Sequence, residues 1–95
     1  MENSGIEKWM KENRIINLPR RQNDKMNIFC YITNLEFKTG VEYTEKEVNH
    51  KLVNYYDDYA LLRRYLVDFG LLERSNDCSV YIRKQDREYE ANNNY

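Results

Sequence analysis

Three stretches between residues 23 and 69 repeat apolar residues at helical spacing, and each is separated from the next by polar residues or glycine. This spacing predicts core helices over residues 23–37, 44–55 and 57–69. Their predicted inward residues, helix by helix, are Ile28, Phe29, Ile32 and Leu35; Val48, Leu52 and Tyr55; and Tyr59, Leu62, Leu66 and Phe69. The chain therefore has enough amphipathic helix to build a small helical core.

Residues with strong capping preferences stand at the ends of these helices. Thr44 followed three residues later by Glu47 predicts a capping box at the start of the second helix. Either Asp57 or Asp58 is expected to cap the third helix. Gly70 is expected to end it, because glycine adopts the left-handed conformation that commonly follows a helix.

After Gly70 the pattern changes to two short extended runs. Residues 71–83 predict a β-hairpin, here called the wing, with strands over 71–74 and 79–83 joined by a polar turn. Val80 and Ile82 share one face of the second strand, and Tyr81 lies on the other. This predicts that both faces are covered, the outer one by an N-terminal helix or by another chain.

The two ends of the chain complete the predicted architecture. Ser4 and Glu7 are spaced as a capping box, and Ile6, Trp9 and Met10 share a helical face, which predicts a helix over residues 4–13 that ends at Asn13. Residues 84–95 form a charged, Asn-rich tail. The overall prediction is one α+β, mostly α domain over residues 1–83, a winged helix-turn-helix with an added N-terminal helix and a two-stranded wing.

Composition narrows the function classes. The 95 residues carry 15 basic and 16 acidic side chains, which excludes a polybasic nucleic-acid arm. We expect no signal peptide or membrane span, and because Cys30 and Cys78 lack metal-ligand spacing we expect reduced thiols in a cytoplasmic protein. His50 is the only histidine and has no catalytic partner nearby in sequence. We therefore expect no enzyme activity, no metal and no cofactor.

Several strings of residues carry a family resemblance that spans roughly Ile6 to Arg83. They are Tyr43-Thr44-Glu45-x-Glu47-Val48-Asn49, then Asp58-Tyr59-Ala60-x-Leu62-Arg63-Arg64-x-Leu66-Val67-Asp68-x-Gly70-x-Leu72-x-Arg74, then Tyr81-x-Arg83, with Arg14-Ile15 and Leu18-Pro19-x-Arg21 upstream. In these strings the chain closely resembles the bacterial domain of unknown function 2087. That resemblance implies a winged-helix-like domain found alone or behind an ArsR-type helix-turn-helix domain in transcriptional regulators, with no established activity of its own.

Two departures from the family pattern bear on function. Asp77-Cys78 stands where relatives usually have Asp-Gly, so we expect a wider loop than a two-residue turn. Relatives also carry more lysine and arginine before the long helix. Any phosphate-binding patch there therefore has fewer positive charges in this chain.

DNA binding is the leading functional hypothesis, within a role in gene regulation. The candidate nucleic-acid-binding residues are Arg20, Arg21, Lys25, Lys46, Arg64, Arg83 and Lys84. Acids at the expected groove-facing positions oppose this hypothesis, because they would face phosphate: Glu45, Glu47, Asp57, Asp58 and Asp77. We also expect at least one of Arg63 and Arg64 to be structural, since adjacent helical residues point about 100° apart; Glu47 and Asp68 are the expected partners.

The alternative hypothesis is a protein-interaction module, an inhibitor or adaptor. Nine tyrosines are too many for a small core, and tyrosine suits interfaces. The candidate interface is acidic and tyrosine-rich, and it comprises Tyr55, Tyr56, Asp57, Asp58 and Trp9. A homodimer through Ile6, Trp9 and Met10 or through the outer face of the wing also stays open.

Overall fold

A computed structural model of the protein describes residues 6–84 and shows an α+β fold with three helices and two small antiparallel sheets. A 3₁₀ turn, Ile6–Lys8, comes first. The helices are α1 (Gln22–Glu36), α2 (Glu45–Leu52) and α3 (Tyr59–Asp68), and the strands are β1 (Met10–Lys11), β2 (Arg14–Ile15), β3 (Glu42–Thr44), β4 (Leu72–Arg74) and β5 (Val80–Arg83). The predicted α+β class is confirmed, and the described helices are shorter than or equal to the predicted ones.

The core forms where the apolar faces of the three helices meet the sheet. Ile28, Phe29 and Ile32 from α1 are fully buried with Leu62 and Leu66 from α3. Burial of such side chains contributes roughly 1.5–3 kcal/mol each. The Phe29 ring stacks on Tyr65 of α3 and meets the ring of Phe69, the residue after α3, edge-on.

Two residues predicted to point inward are exposed, so those predictions are wrong. Leu35 is 53% exposed because α1 ends one residue later, and Phe37 continues in an extended conformation and fills the core there instead. Tyr59 is 38% exposed: it is the first residue of α3, and the buried residues of this helix are Leu62 and Leu66.

The predicted caps of α2 and α3 are confirmed. The Glu47 amide donates to Thr44 Oγ1 (3.1 Å) and the Thr44 amide donates to Glu47 Oε1 (2.8 Å), which completes the capping box of α2. Of the two candidate aspartates, Asp58 caps α3, accepting from the Leu61 amide at 3.1 Å. Gly70 has a φ of +79°, as expected for a residue that ends a helix.

The predicted hairpin over residues 71–83 is observed as β4 and β5, and β3 adds an unpredicted third strand to the same sheet. β5 lies in the middle, with β3 on one side and β4 on the other, both antiparallel to it. β3 is only three residues long and runs directly into the α2 cap, so its alternation is too brief to be read from the sequence. Gly40, with a φ of +82°, turns the chain just before it.

The N-terminal segment is not the helix predicted over residues 4–13. Within the described part it is a 3₁₀ turn followed by a hairpin, in which Met10 pairs with Ile15 across a two-residue turn. Glu12 and Asn13 form this turn with φ of 52° and 66°, the conformation of a type I′ turn. Ser4, the predicted cap, lies outside the described residues, as does the tail beyond residue 84.

This hairpin packs on the helices. The Ile15 amide donates to the Tyr55 carbonyl (2.8 Å), and Arg14 donates to the Val53 carbonyl (2.9 Å), so β2 is bonded to the α2–α3 connection. The 3₁₀ turn contacts α1. The expected cover of the wing by an N-terminal helix is therefore wrong.

Candidate nucleic-acid interface

The outward face of α3 presents one strongly exposed arginine. Leu62 and Leu66 are fully buried, so the opposite side of the helix faces solvent. Ala60 and Arg64 lie on this side one turn apart, and the Arg64 side chain is 78% exposed. A small residue beside a long cationic one permits close approach of a large anionic surface.

A groove of about 550 Å³ runs between α3 and the sheet. Its lining residues are Ala60, Leu61, Arg63, Arg64, Val67, Asp68, Arg74 and Tyr81. Arg74 enters the groove because it pairs with Tyr81 across β4 and β5, and residues directly opposite each other in a sheet share a face. Three guanidinium groups therefore line one groove against a single carboxylate.

Arg63 is held in place by residues of α2. It forms a salt bridge to Glu45 (3.2 Å) and donates a hydrogen bond to the Asn49 side chain. Its side chain is only 19% exposed, so it has a structural role in joining α3 to α2, as predicted for at least one of the two adjacent arginines. The partner is Glu45, whereas the expected Glu47 is engaged in the α2 cap.

Arg64 has the looser contact of the pair. Its Nε lies 4.0 Å from Asp68 Oδ2, one turn further along α3, and both side chains are mostly exposed. Such exposed pairs contribute little, about 0.2–1 kcal/mol. A phosphate can therefore replace the carboxylate of Asp68 as the partner of Arg64 at small cost.

Lys25 is the basic residue of α1 that lies beside α3. Its Nζ lies 5.3 Å from the centre of the Tyr65 ring, and Tyr65 follows Arg64 by one position, about 100° around the helix. Lys25 therefore lies beside α3, next to the residue that follows Arg64.

The other predicted basic residues lie on other parts of the fold. Arg20 and Arg21 are exposed just before α1, Lys46 is exposed in the first turn of α2, and Lys84 is half-buried where β5 ends. Arg74 was missing from the predicted set. The alternation of β4, which places it on the same face as Leu72, is the signal that could have identified it.

Arg83 is buried, so its prediction as a nucleic-acid contact is corrected. The residue is 8% exposed, and its guanidinium donates to the carbonyl of Phe37 (2.8 Å) and to the Asn34 side chain at the end of α1. In β5 it alternates inward with Tyr81. Its role is to support the core.

The predicted tyrosine-rich interface is divided between structural contacts. Tyr55 is 4% exposed, and its hydroxyl donates to Glu36 Oε2 (2.5 Å). Burial, reinforced by the Glu36 carboxylate, raises the pKa of Tyr55 above its ordinary value. Because a buried phenol cannot meet a partner, the assignment of Tyr55 to an interface is corrected.

The remaining residues of that predicted patch have separate local contacts. Tyr56 and Trp9 are half-buried and pack against the core. The Asp57 side chain is 97% exposed and pairs with Arg14 at 2.5 Å, which holds the N-terminal hairpin to the α2–α3 connection. Asp58 caps α3. Each of these four residues therefore also has a structural contact.

The turn between β4 and β5 presents a stable negative charge. Asp77 accepts hydrogen bonds from the hydroxyls of Ser75 and Ser79 and from the Ser79 amide (2.7, 2.7 and 3.0 Å). These bonds lower the pKa of Asp77 to about 2. The wing tip therefore remains anionic at neutral pH and is unsuited to a phosphate contact.

The described residues show few features of a reactive site. Among residues 6–84, no group of three His, Cys, Asp or Glu side chains is placed to hold a metal ion. His50 is exposed on α2, and Cys30 and Cys78 do not form a disulfide. None of the helices described here is long and apolar enough to cross a membrane.

Comparison with known proteins identifies a family and nothing more specific. The family model described as "Uncharacterized protein conserved in bacteria (DUF2087)" matches residues 14–83. This span runs from β2 to the end of β5 and includes all three helices. No curated protein and no solved structure matches the chain.

Proposed function

This chain belongs to the bacterial family DUF2087, and from that premise we propose that it is a non-catalytic, winged-helix regulatory domain that binds duplex DNA through α3. The order of elements supports the winged-helix part of the proposal. A winged helix follows its first helix with a short strand, then two helices and a β-hairpin, as α1, β3, α2, α3, β4 and β5 do here. In such a domain α3 enters the major groove.

The groove between α3 and β4 carries the DNA proposal. It brings Arg64 and Arg74 to the same opening, beside the helix expected to enter DNA, and Arg63 lines its wall. Phosphate contacts by arginine and lysine supply most of the affinity of such domains. Because the carboxylate of Asp68 is the acid in that lining, the groove has a net positive charge.

The small number of cations near α3 also limits the expected affinity for DNA. Lys25, Arg64 and Arg74 are the cations placed around α3, so about three phosphates can be neutralised, and the affinity should fall with salt with a log–log slope of roughly −3. Asp58 at the start of α3 and Asp77 at the wing tip weaken contacts at both ends of the site. We therefore expect weak binding that depends strongly on salt.

Fluorescence anisotropy with labelled duplex DNA at low and high salt tests the proposal. Arg64→Ala and Arg74→Ala should each reduce the affinity by about tenfold at low salt and reduce the salt slope by about one. The matched control is Lys11→Ala, which removes an exposed cation from β1 in the N-terminal hairpin.

Two results would contradict the DNA proposal. One is the absence of salt-sensitive binding by the wild-type protein to mixed-sequence duplexes. The other is an equal loss of affinity for Lys11→Ala and Arg64→Ala, which would show diffuse attraction instead of a site on α3.

A further inference from the structure

The outer face of the three-stranded sheet carries an apolar strip between two acids. The register places Glu42 of β3 and Glu73 of β4 directly opposite Ile82 of β5, one on each side. Val80 lies two residues before Ile82 and therefore on the same face. Both aliphatic side chains are only partly buried, while both glutamates are exposed.

The opposite face of the same sheet is the one that the helices cover. Tyr81 and Leu72, which alternate with Ile82 and Glu73 along their strands, are 2% and 1% exposed. α2 and α3 contact the strands. The strip of Glu42, Ile82 and Glu73 is thus on the far side of the sheet from the α3 groove.

The negative charges on this face favour a positively charged partner. Two carboxylates flank an aliphatic centre, and Glu47 is bonded to Thr44, the residue opposite Val80. Lys84 follows β5 and offsets one of these charges. A partner surface with an aliphatic residue between two cations would bury the apolar strip and pair both glutamates.

We propose that the outer face of the sheet docks a basic peptide segment of a partner protein, with one aliphatic side chain over Ile82 and two lysines or arginines on Glu42 and Glu73. Neighbouring strands lie about 4.8 Å apart, so the two glutamate backbones stand roughly 10 Å apart. In an extended segment, residues i and i+4 lie roughly 13 Å apart on one face. Long lysine side chains cover the difference.

A second copy of this chain is a poorer occupant. A two-fold dimer through the same face brings equivalent patches together, so each acidic patch would meet another acidic patch. Like charges at an interface disfavour association. The same sign also rejects DNA, so this surface is separate from the one proposed to bind duplex DNA.

A synthetic peptide containing Lys-Ser-Ile-Ser-Lys is the probe, and its binding is followed by amide chemical shifts in ¹⁵N-labelled protein. At low salt we expect shifts at Glu42, Glu73, Val80 and Ile82, and no shifts from a peptide with glutamate in place of lysine. Glu42→Gln combined with Glu73→Gln should weaken binding at least about fivefold. Ile82→Thr, which keeps a β-branched residue in the strand, should also weaken binding.

The control for net charge is Glu12→Lys in the N-terminal hairpin turn, which changes the charge by the same amount as the double glutamine variant. It should leave the peptide affinity within about twofold, since exposed charges far from a site are screened. Shifts that map to α3, or an equal loss in the control, would overturn the proposal. Concentration-dependent shifts at the same face without peptide would also overturn it, because a second copy would then be the occupant.

Discussion

The guanidinium of Arg83 donates a hydrogen bond to the backbone carbonyl of Phe37 across 2.8 Å, which joins the last strand to the end of the first helix. The same group also reaches the Thr33 carbonyl (3.5 Å) and the Asn34 side chain. The Thr33 carbonyl also accepts from the Phe37 amide (3.0 Å), so Arg83 is a second donor there, at the negative end of the helix dipole. Arg83 therefore caps α1 from a position far along the chain.

Replacing Arg83 by alanine should lower the free energy of unfolding by about 2–3 kcal/mol, because it removes the buried guanidinium that donates to the Phe37 carbonyl and to the Asn34 side chain. Urea denaturation at neutral pH measures this loss. Arg83→Lys should recover only part of it, since an ammonium group cannot reproduce the fork of donors.

The matched control for this prediction is Arg74→Ala, an exposed arginine on the neighbouring strand. Its cost should stay within about 0.5 kcal/mol, as for most surface substitutions. An Arg83→Ala loss no larger than that of the control would mean that water replaces Arg83 as the donor to the Phe37 carbonyl.

Cys78 adopts a left-handed conformation, with a φ of 63°, in the turn before β5. Its amide donates to the Ser75 carbonyl (3.0 Å), so the turn is wider than a two-residue connection, as predicted. A residue with a Cβ atom is strained there by roughly 1–2 kcal/mol. Part of this is offset because glycine is more flexible in the unfolded chain.

Cys78→Gly should therefore raise the free energy of unfolding by about 0.5–1 kcal/mol in urea denaturation. Asn76→Gly is the control in the same turn, because Asn76 is not among the described residues with positive φ. It should be neutral or destabilising. A stabilisation of the same size in both variants would argue against strain at Cys78.

Local chemistry is the part of this fold that the sequence predicts well. The α2 cap depends only on Thr44 and Glu47, and the end of α3 depends on Gly70, so each can be predicted without knowledge of the tertiary structure. The N-terminal segment differs in this respect. Ile6, Trp9 and Met10 fit a helical face, but the hydrogen bond from the Ile15 amide to the distant Tyr55 carbonyl favours a hairpin.

The candidate site was predicted only in part, for a similar reason. Arg64 follows from helical periodicity, because the buried positions of α3 define its exposed face. Arg83 has the same side chain and occurs in a comparably charged stretch, yet its partners lie on α1. Which arginine is buried depends on contacts between helices and strands. Such contacts cannot be predicted from the spacing of residues along one helix or strand.

Asp77 should make the wing turn sensitive to acid. Hydrogen bonds from Ser75 and Ser79 lower its pKa from 3.8 to about 2. A carboxyl group whose pKa is lower in the folded state stabilises the fold above its unfolded pKa. That contribution is therefore complete above about pH 4 and is lost as the pH falls towards 2.

An NMR titration of the Asp77 carboxyl and the Ser79 amide measures this effect. Asp77→Asn is the control, because asparagine can still accept these hydrogen bonds but does not titrate. Its Ser79 amide should not change over this range of pH. A midpoint for Asp77 near 3.8 would show that the serine hydrogen bonds do not form in solution.

The hydrogen bond from Tyr55 to Glu36 joins the segment between α2 and α3 to the end of α1. The Glu36 carboxylate also lies 3.6 Å from the ammonium group of Lys51. Tyr55→Phe removes the hydroxyl that donates to Glu36 and should cost about 1–2 kcal/mol in urea denaturation at neutral pH. Tyr59→Phe is the matched control, because Tyr59 is 38% exposed, and it should cost less than about 0.5 kcal/mol.

The same hydrogen bond predicts a dependence on alkaline pH. Burial and the Glu36 carboxylate raise the pKa of Tyr55 above 10.0, so the folded state holds this proton longer than the unfolded state does. Stability from this group is complete below about pH 10 and declines as the pH rises further. Tyr55→Phe should therefore lose less stability than the wild-type protein between neutral and strongly alkaline pH, whereas Tyr59→Phe should lose as much. Equal alkaline losses in all three proteins would mean that the phenol of Tyr55 is not held protonated by its contact with Glu36.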